Sequence, residues 1–403
     1  MAPRRILILT NRIPYPLNDG GNLAMHAMIE GYHKAGWQVY LLAMHTHRHA
    51  VSEADLKRLY PYIHAFDTVD VDNRVKPLGT IKNFLFSKEA NHADRFFHLS
   101  FLKKIKDILQ KFDPDAIQFE SVFLATYLPY IKKQSKALAI LRVHNIEYEV
   151  WERLANKTSH PLKRIYLKDL AKRIRNFEEK AWKQFDLLLP ITGIDAHVIR
   201  QTGISKNIQV APFALDIHKP HVAQQEEWNG YHIGAMDWIP NAESISWLLT
   251  EVWPRLHKVL PEFKFFFAGR NMPASFKKNL PEGVTCVGEV ADADKFIADK
   301  KILIVPLRSG SGIRVKILEA MAVGKIVIST DIGIQGINAQ PNVHYLPANT
   351  SDEFVNTIKW CLQNKSAAMQ IAANAMEFVK TEYDPNFIME SVLKKVNNLL
   401  TNH

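Results

Sequence analysis

The stretch RSGSGIRVKILEAMAVGKIVIST, residues 308–330, reads as a glycine loop, then a helix, then a strand. It follows KILIVPL (301–307), a short apolar run of strand character. Gly310 and Gly312 let the backbone come close to a ligand. A helix beginning near Ile313 turns its free N–H groups toward the strand end, which is how helices bind anions. Arg314 and Lys316 then lie in the first turn, where the helix dipole disfavours cations. A diphosphate beside them reverses that penalty. Glu319 follows three residues after Lys316, on a neighbouring face. Its two acceptor oxygens match the vicinal hydroxyls of a ribose. The same residues also suit a plain loop with a Lys316–Glu319 surface pair and a solvated Arg314.

Outward from this stretch, strand-like runs alternate with helical patterns. RRILILT (4–10), WQVYLLAM (37–44), DAIQFE (115–120), KALAILRV (136–143), DLLLPIT (186–192) and NIQVAP (207–212) form one series. YHIGAM (231–236), FKFFFAG (263–269), GVTCVG (283–288), KILIVPL, KIVIST (325–330) and VHYLP (343–347) form a second. Runs that are continuously apolar indicate a parallel sheet covered on both faces. NLAMHAMIEGYHKAG (22–36) and NAESISWLLTEVWPRLHKVL (241–260) are the clearest intervening helices. The spacing predicts an α/β chain with two Rossmann-like domains, 1–212 and 213–385, and a final helix over 386–403. The join lies in the polar segment APFALDIHKPHVAQQEEWNG (211–230), and the final helix follows a break at Asp384 and Pro385. In open sheets of this kind, ligands bind beyond the carboxyl ends of the strands.

The composition narrows the function. A chain of 403 residues with 47% hydrophobic content holds two cores. Two cysteines, Cys286 and Cys361, are too few for a disulfide framework. The first residues lack a signal peptide's apolar core, and no run reaches the roughly 18 apolar residues of a spanning helix. The expectation is a cytoplasmic protein. The net charge of +10 suits phosphorylated small molecules, an anionic membrane surface or nucleic acid. Two basic amphipathic helices, 101–112 and 163–183, carry much of it, the second with Ile165, Leu170, Ile174, Phe177 and Trp182 as inward positions. Aromatics interleaved with basic residues on one face, as in a nucleic-acid-binding module, are not found.

Several chemistries are excluded by motif. Val315-Lys316-Ile317 is not the end of a Walker A loop, and Val315 stands where a dinucleotide fingerprint needs its third glycine. No zinc-type Cys/His spacing and no Gly-x-Ser-x-Gly elbow occur. Of the pairs Asp70/Asp72, Asp113/Asp115 and Asp292/Asp294, the second reads as a turn entering a strand and the third as a helix start, and none of the three is expected to bind a metal. His45, His47 and His49 read as an exposed loop.

GSGIRVKILEAMAVGKIVIST with the following DIGIQGI resembles the signature of the family 4 retaining glycosyltransferases of GT-B fold. VHNIEYEVWERLA, GAMDWIPNAESISWL, FFFAGRNMP and GVTCVGEV are similar to further segments of that family, so the resemblance covers most of the chain. It implies two Rossmann-like domains facing a cleft, an acceptor domain first and a nucleotide-sugar donor domain second, with the C-terminal helix crossing back to the first. It implies transfer of a sugar from a nucleoside-diphosphate sugar to an acceptor hydroxyl with retention, without a metal or other cofactor. The acceptor would be a glycan or a lipid-linked species, in polysaccharide or glycolipid synthesis, at the inner face of the membrane. Glu319 would hold the donor ribose, and Arg314 and Lys316 the diphosphate. Gly310, Ser311, Gly312 and Ile313 would lie along the sugar and phosphates, and Gly288, Glu289 and Val290 along the base. Gly20 and Gly21 match the glycine loop after the first strand, and His144 the histidine set against the donor sugar. Two departures stand out. Ser311 replaces a carboxylate that the family places eight residues before Glu319, and GAMDWIPN lacks the arginine and lysine common after the first strand of the donor domain. Arg314 and Lys316 are the cations left to take that role. The rival readings are a sugar-nucleotide epimerase, with Glu147 and Asp237 as its acid and base, and a non-catalytic basic binding protein.

Overall fold

The computed structural model describes residues 3–16, 20–46, 53–71, 95–204, 207–215, 227–310 and 312–402. The chain divides into two compact units: Met1–Ala214 with Pro385–His403, and Leu215–Asp384.

The first unit contains β1 (Arg5–Thr10), α1 (Gly20–Lys34), β2 (Gln38–Thr46), α2 (Glu53–Leu59), β3 (Ala65–Val71), α3 (Leu99–Phe112), β4 (Ala116–Phe119), β5 (Leu138–Val143), α4 (Glu147–Lys157), α5 (Pro161–Trp182), β6 (Leu187–Pro190) and α6 (Gly193–Gln201). Its sheet runs β3-β2-β1-β4-β5-β6, parallel throughout. Successive residues of β1 serve opposite faces, as the two-residue period of a strand requires. Leu7 and Leu9 join a core with Phe101, Ile105 and Leu109 of α3 and Leu170 and Ile174 of α5. Ile6 and Ile8 join another with Met28, Ile29 and Tyr32 of α1. Both faces are dry, which is why these strands read as unbroken apolar runs.

The second unit contains β7 (Glu227–Ile233), α7 (Ile239–Trp247), α8 (Trp253–Val259), β8 (Phe265–Ala268), β9 (Val284–Gly288), β10 (Lys300–Val305), α9 (Val315–Ala322), β11 (Ile326–Ser329), β12 (Leu346–Pro347), α10 (Ser351–Gln363) and α11 (Lys365–Glu382). Its sheet order is β12-β11-β10-β7-β8-β9. Counted within the unit this is again the 3-2-1-4-5-6 order of a doubly wound fold. One face packs Phe265, Phe267, Ile302 and Ile304 against Ile245, Leu248 and Trp253, and against Phe354 and Ile358 of α10. The last helix, α12 (Pro385–Thr401), belongs to the first unit. Its Ile388, Met389, Val392 and Val396 complete the α1 face of that core. Gly31 lets it come close: a Cβ there would lie 2.2 Å from Met389 Cγ.

Several expectations are corrected. NIQVAP is not a strand; Ile208 makes only an isolated bridge to Leu188, after Asn207 turns at φ 58°. β3 (AFDTVDV) was not expected, because its alternating polar residues suit a half-exposed edge and not a buried run. It pairs with β2, so His45 lies in a strand, its Nδ1 2.5 Å from Asp70 Oδ1. His47, His49 and Asp72 lie outside the described residues. Residues 241–260 do not form one regular α-helix: a π turn over Leu248–Val252 precedes Pro254, which has no N–H to continue the ladder. Ile165 is 59% exposed. The buried stripe of α5 runs Leu167, Leu170, Ile174 and Ala181, and Ile165 is out of phase with it.

Candidate functional site

In a sheet of this order the strand sequence reverses beside the first strand, and the loops diverge there to leave a crevice. In the second unit that switch point lies between β7 and β10, which pair in parallel. The loops leaving these two strands carry GAMDWIPN and LRSGSGIR.

The helix after the glycine loop starts later than expected. α9 opens at Val315, with Arg314 at its N-cap instead of inside the first turn. Gly310, at φ 115°, adopts backbone that only glycine takes without strain, and a Cβ there would lie 3.0 Å from Arg314 and from the Trp238 ring. The space is used by Arg314 itself. Its guanidinium lies 5.2 Å from the Trp238 ring centroid and donates to the Gly312 carbonyl. It is almost fully buried, and burial lowers its pKa to about 10. Ser311 lies outside the described residues.

Lys316 points from the first turn of α9 across to β7. Its ammonium donates to His232 Nε2 at 2.9 Å and to Asn241 Oδ1 at 3.0 Å. Gly234 makes room for it; a Cβ there would lie 2.9 Å from Nζ and 2.6 Å from Asn241 Nδ2. Burial first, and the nearby Arg314 second, pull the Lys316 pKa down to about 7, against an upward pull from Glu319. Glu319 lies one turn further along α9 and is exposed. The absence of a cation in GAMDWIPN thus has a structural counterpart: Lys316 reaches the end of β7 from the next strand's helix.

An open groove of about 670 Å³ lies against the same loop, lined by Ala242, Glu243, Ser246, Ser275, Phe276 and Arg308. Arg308 packs 5.3 Å from the Trp247 ring centroid, and Ser309 Oγ donates to Glu243 at 3.2 Å. Gly288 closes β9 at φ 83°, with exposed Glu289 and half-buried Val290 after it. β8 separates them from β7.

The remaining expected residues lie in the first unit. Gly20 and Gly21 form the first turn of α1, and residues 17–19 before them are outside the described set. His144 follows β5, and its Nε2 lies 2.7 Å from Glu120 Oε2 at the end of β4. Glu120 is also 3.8 Å from Arg142 Nε, and its other oxygen accepts from Gln118. Gln118 in turn accepts from Tyr32 at 2.9 Å, and Arg142 donates to the Pro212 carbonyl at 3.3 Å. Gln118, Glu120 and Arg142 are all buried. Desolvation lowers the Arg142 pKa, partly opposed by Glu120. Glu147 opens α4, where burial raises its carboxyl to about 7, while exposed Asp237 accepts from Asn271 at 3.0 Å in the second unit.

His232 and Trp238 in the second unit, and Glu120 and Arg142 in the first, are therefore partners of the candidate residues that sequence reasoning missed. A histidine in the middle of YHIGAM reads as core. A polar Gln118 and a charged Glu120 ending DAIQFE were the available signal for the buried network. Among the described residues, no group of three or more His, Cys, Asp or Glu side chains is placed to hold a metal ion, and no helix is long and apolar enough to cross a membrane.

Residues 230–364 match the family model "Glycosyl transferases group 1". Over 98% of this chain and 100% of the other, the fold superposes on the UDP complex of HepE from Anabaena, with a TM-score of 0.67 and 12% identity. Sucrose-phosphate synthase from Thermosynechococcus elongatus gives a TM-score of 0.69 at 15% identity, covering 99% and 100% of the two chains. A Klebsiella pneumoniae sequence described as an uncharacterized 44.6 kDa protein in cps region is 24% identical across 97% of this chain and 99% of its own length. The fold is therefore the one these structures share, and residues 230–364 of the second unit carry the group 1 glycosyl transferase match.

Proposed function

We propose that this chain transfers a sugar from a nucleoside-diphosphate sugar to an acceptor hydroxyl, with retention at the anomeric carbon. One observation carries the reading: Arg314 and Lys316 converge on the N-terminal end of α9 at the switch point of the second sheet. Breaking a glycosyl–phosphate bond moves negative charge onto the diphosphate and positive charge onto the sugar carbon. Preorganised cations and helix N–H groups stabilise the first of these without reorganising during the reaction. The adjoining groove is large enough for a nucleoside, within the usual range of about 300–1,000 Å³ for ligand sites. Glu319 is assigned to the ribose hydroxyls, the backbone of 288–290 to the base, and His144 to the reacting sugar.

The test is thermal shift with UDP, GDP, ADP and CDP, UDP first because HepE binds it in its crystal. A ligand at 100 times its Kd stabilises by about 2.7 kcal/mol. One nucleotide is expected to raise the melting temperature of the wild type and not of Arg314→Ala/Lys316→Ala. No shift with any of the four removes the reading.

The acceptor is proposed to be lipid-linked, which places the enzyme on an anionic membrane surface. The α4–α5 hairpin exposes Leu154, Leu162 and Ile165 beside the exposed cations Lys163, Arg164, Lys168 and Lys172. Apolar residues set among cations are what an anionic bilayer surface binds. Sedimentation with phosphatidylglycerol vesicles at low salt is expected to pellet the wild type, and Leu162→Glu/Ile165→Glu several-fold less. A wild type that stays in the supernatant ends the membrane proposal and leaves the donor site intact.

A further inference from the structure

We propose that His232 and Asn241 are positioning residues that hold the Lys316 ammonium through neutral acceptors only, so that its charge stays available for the diphosphate. This deepens the donor-site reading above and rests on it.

The chemistry of each acceptor is fixed by a second contact. His232 is fully buried, and its Nδ1 lies 2.8 Å from the Ile304 carbonyl of β10. A carbonyl only accepts, so Nδ1 carries the proton and Nε2 presents its lone pair to Lys316. Burial and the neighbouring ammonium keep the imidazole neutral, far below its ordinary value. Asn241 Nδ2 donates to the Ala235 carbonyl at 2.9 Å, which turns Oδ1 toward Lys316. The ammonium is thus gripped by two lone pairs on two different elements, β7 and α7. Neither is a carboxylate, which would satisfy the cation and cancel its field.

Among the described residues, the groups that set the charge of Lys316 are few. Arg314 at the helix cap opposes it, Glu319 one turn on favours it, and His232 and Asn241 bind it without charge. Burial is the largest influence and brings the ammonium to about 7. A diphosphate arriving there restores the proton, so nucleotide binding near neutral pH takes up a proton.

The decisive variant is Asn241→Asp, which puts a carboxylate 3.0 Å from the ammonium with no change of volume. Calorimetry uses UDP, or whichever of GDP, ADP and CDP shifts the melting temperature most, in two buffers of different ionisation enthalpy. The wild type is expected to take up a fraction of a proton on binding. Asn241→Asp is expected to bind at least ten-fold more weakly and to lose the proton uptake; its melting temperature does not discriminate, because the aspartate also loses the donor to the Ala235 carbonyl. A merely structural Asn241 predicts affinity within two-fold of wild type and unchanged proton uptake, and that result overturns the proposal. Carbon-13 titration of lysine Cε and nitrogen-15 spectra of histidine need no nucleotide. They are expected to show Lys316 titrating well below an ordinary lysine, moved upward in Asn241→Asp, and His232 protonated on Nδ1. An ordinary lysine titration, or a proton on His232 Nε2, also overturns it. A wild type that binds no nucleotide but shows these titrations refutes the donor-site reading alone.

Discussion

Lys316→Met is expected to melt higher than the wild type while losing most transferase activity. The two effects have one cause. The folded state holds an ammonium where burial has lowered its pKa to about 7 from the ordinary 10.5. Between those values the unfolded chain binds more protons than the folded one, so stability rises with pH across that window. Conversely, stability falls as pH drops toward about 7, where the enclosed group must carry its charge. Methionine fills similar space without charge and removes the penalty, offset in part by the loss of the two hydrogen bonds to His232 and Asn241, about 1 kcal/mol each. A gain of ~1 kcal/mol corresponds to about 2–4 °C for a domain of this size. Catalysis moves the other way. Removing one preorganised electrostatic contact to a developing anion costs roughly 10²–10³ in rate, or about 2.7–4 kcal/mol. Only the protonated lysine serves that role, so kcat/KM of the wild type is expected to fall as pH rises above about 7. Melting curves and a pH–rate profile on both proteins check this. A variant that is both less stable and fully active would show that Lys316 is structural.

How much of this was legible in the sequence depends on the distance between partners. The glycine loop, α9 and Arg314, Lys316 and Glu319 lie within one short stretch, and local rules are enough to read them. The buried strands were legible because both sheet faces are covered, so their residues are apolar without alternation. β3 was missed for the same reason in reverse: an edge strand keeps polar residues. The partners of Lys316 were not legible. His232 and Asn241 precede it by 84 and 75 residues and meet it only because β7 and β10 are neighbours at the switch point. Each residue alone reads as something ordinary, a core histidine and a helix-start asparagine. Their chemistry is a property of the strand order. α9 starts two residues later than the local pattern predicts because Arg314 stacks on Trp238, from another loop, and takes the cap.

Glu120→Ala is expected to produce the largest loss of stability in the first unit. Glu120 is buried at the end of β4 and faces Arg142, which is 1% exposed, and His144. Removing one partner of a buried ion pair leaves the other charge uncompensated, which costs about 3–5 kcal/mol. It also unties Gln118 and so loosens the link to Tyr32 on α1. Replacing both charges at once differs in kind, because a buried pair exchanged for apolar residues of similar volume is often neutral or stabilising. Glu120→Met/Arg142→Met is therefore expected to recover most of the stability lost by Glu120→Ala. Activity separates structure from function in this pair. With Glu120 gone, His144 Nε2 loses its acceptor and the ring its fixed orientation. The double variant is expected to fold like the wild type and to remain impaired in kcat. Denaturant unfolding of the three proteins, followed by turnover with sugars of the nucleotide found by thermal shift, makes the comparison. Full activity in the stable double variant would assign Glu120 to the core alone and leave His144 oriented by other contacts.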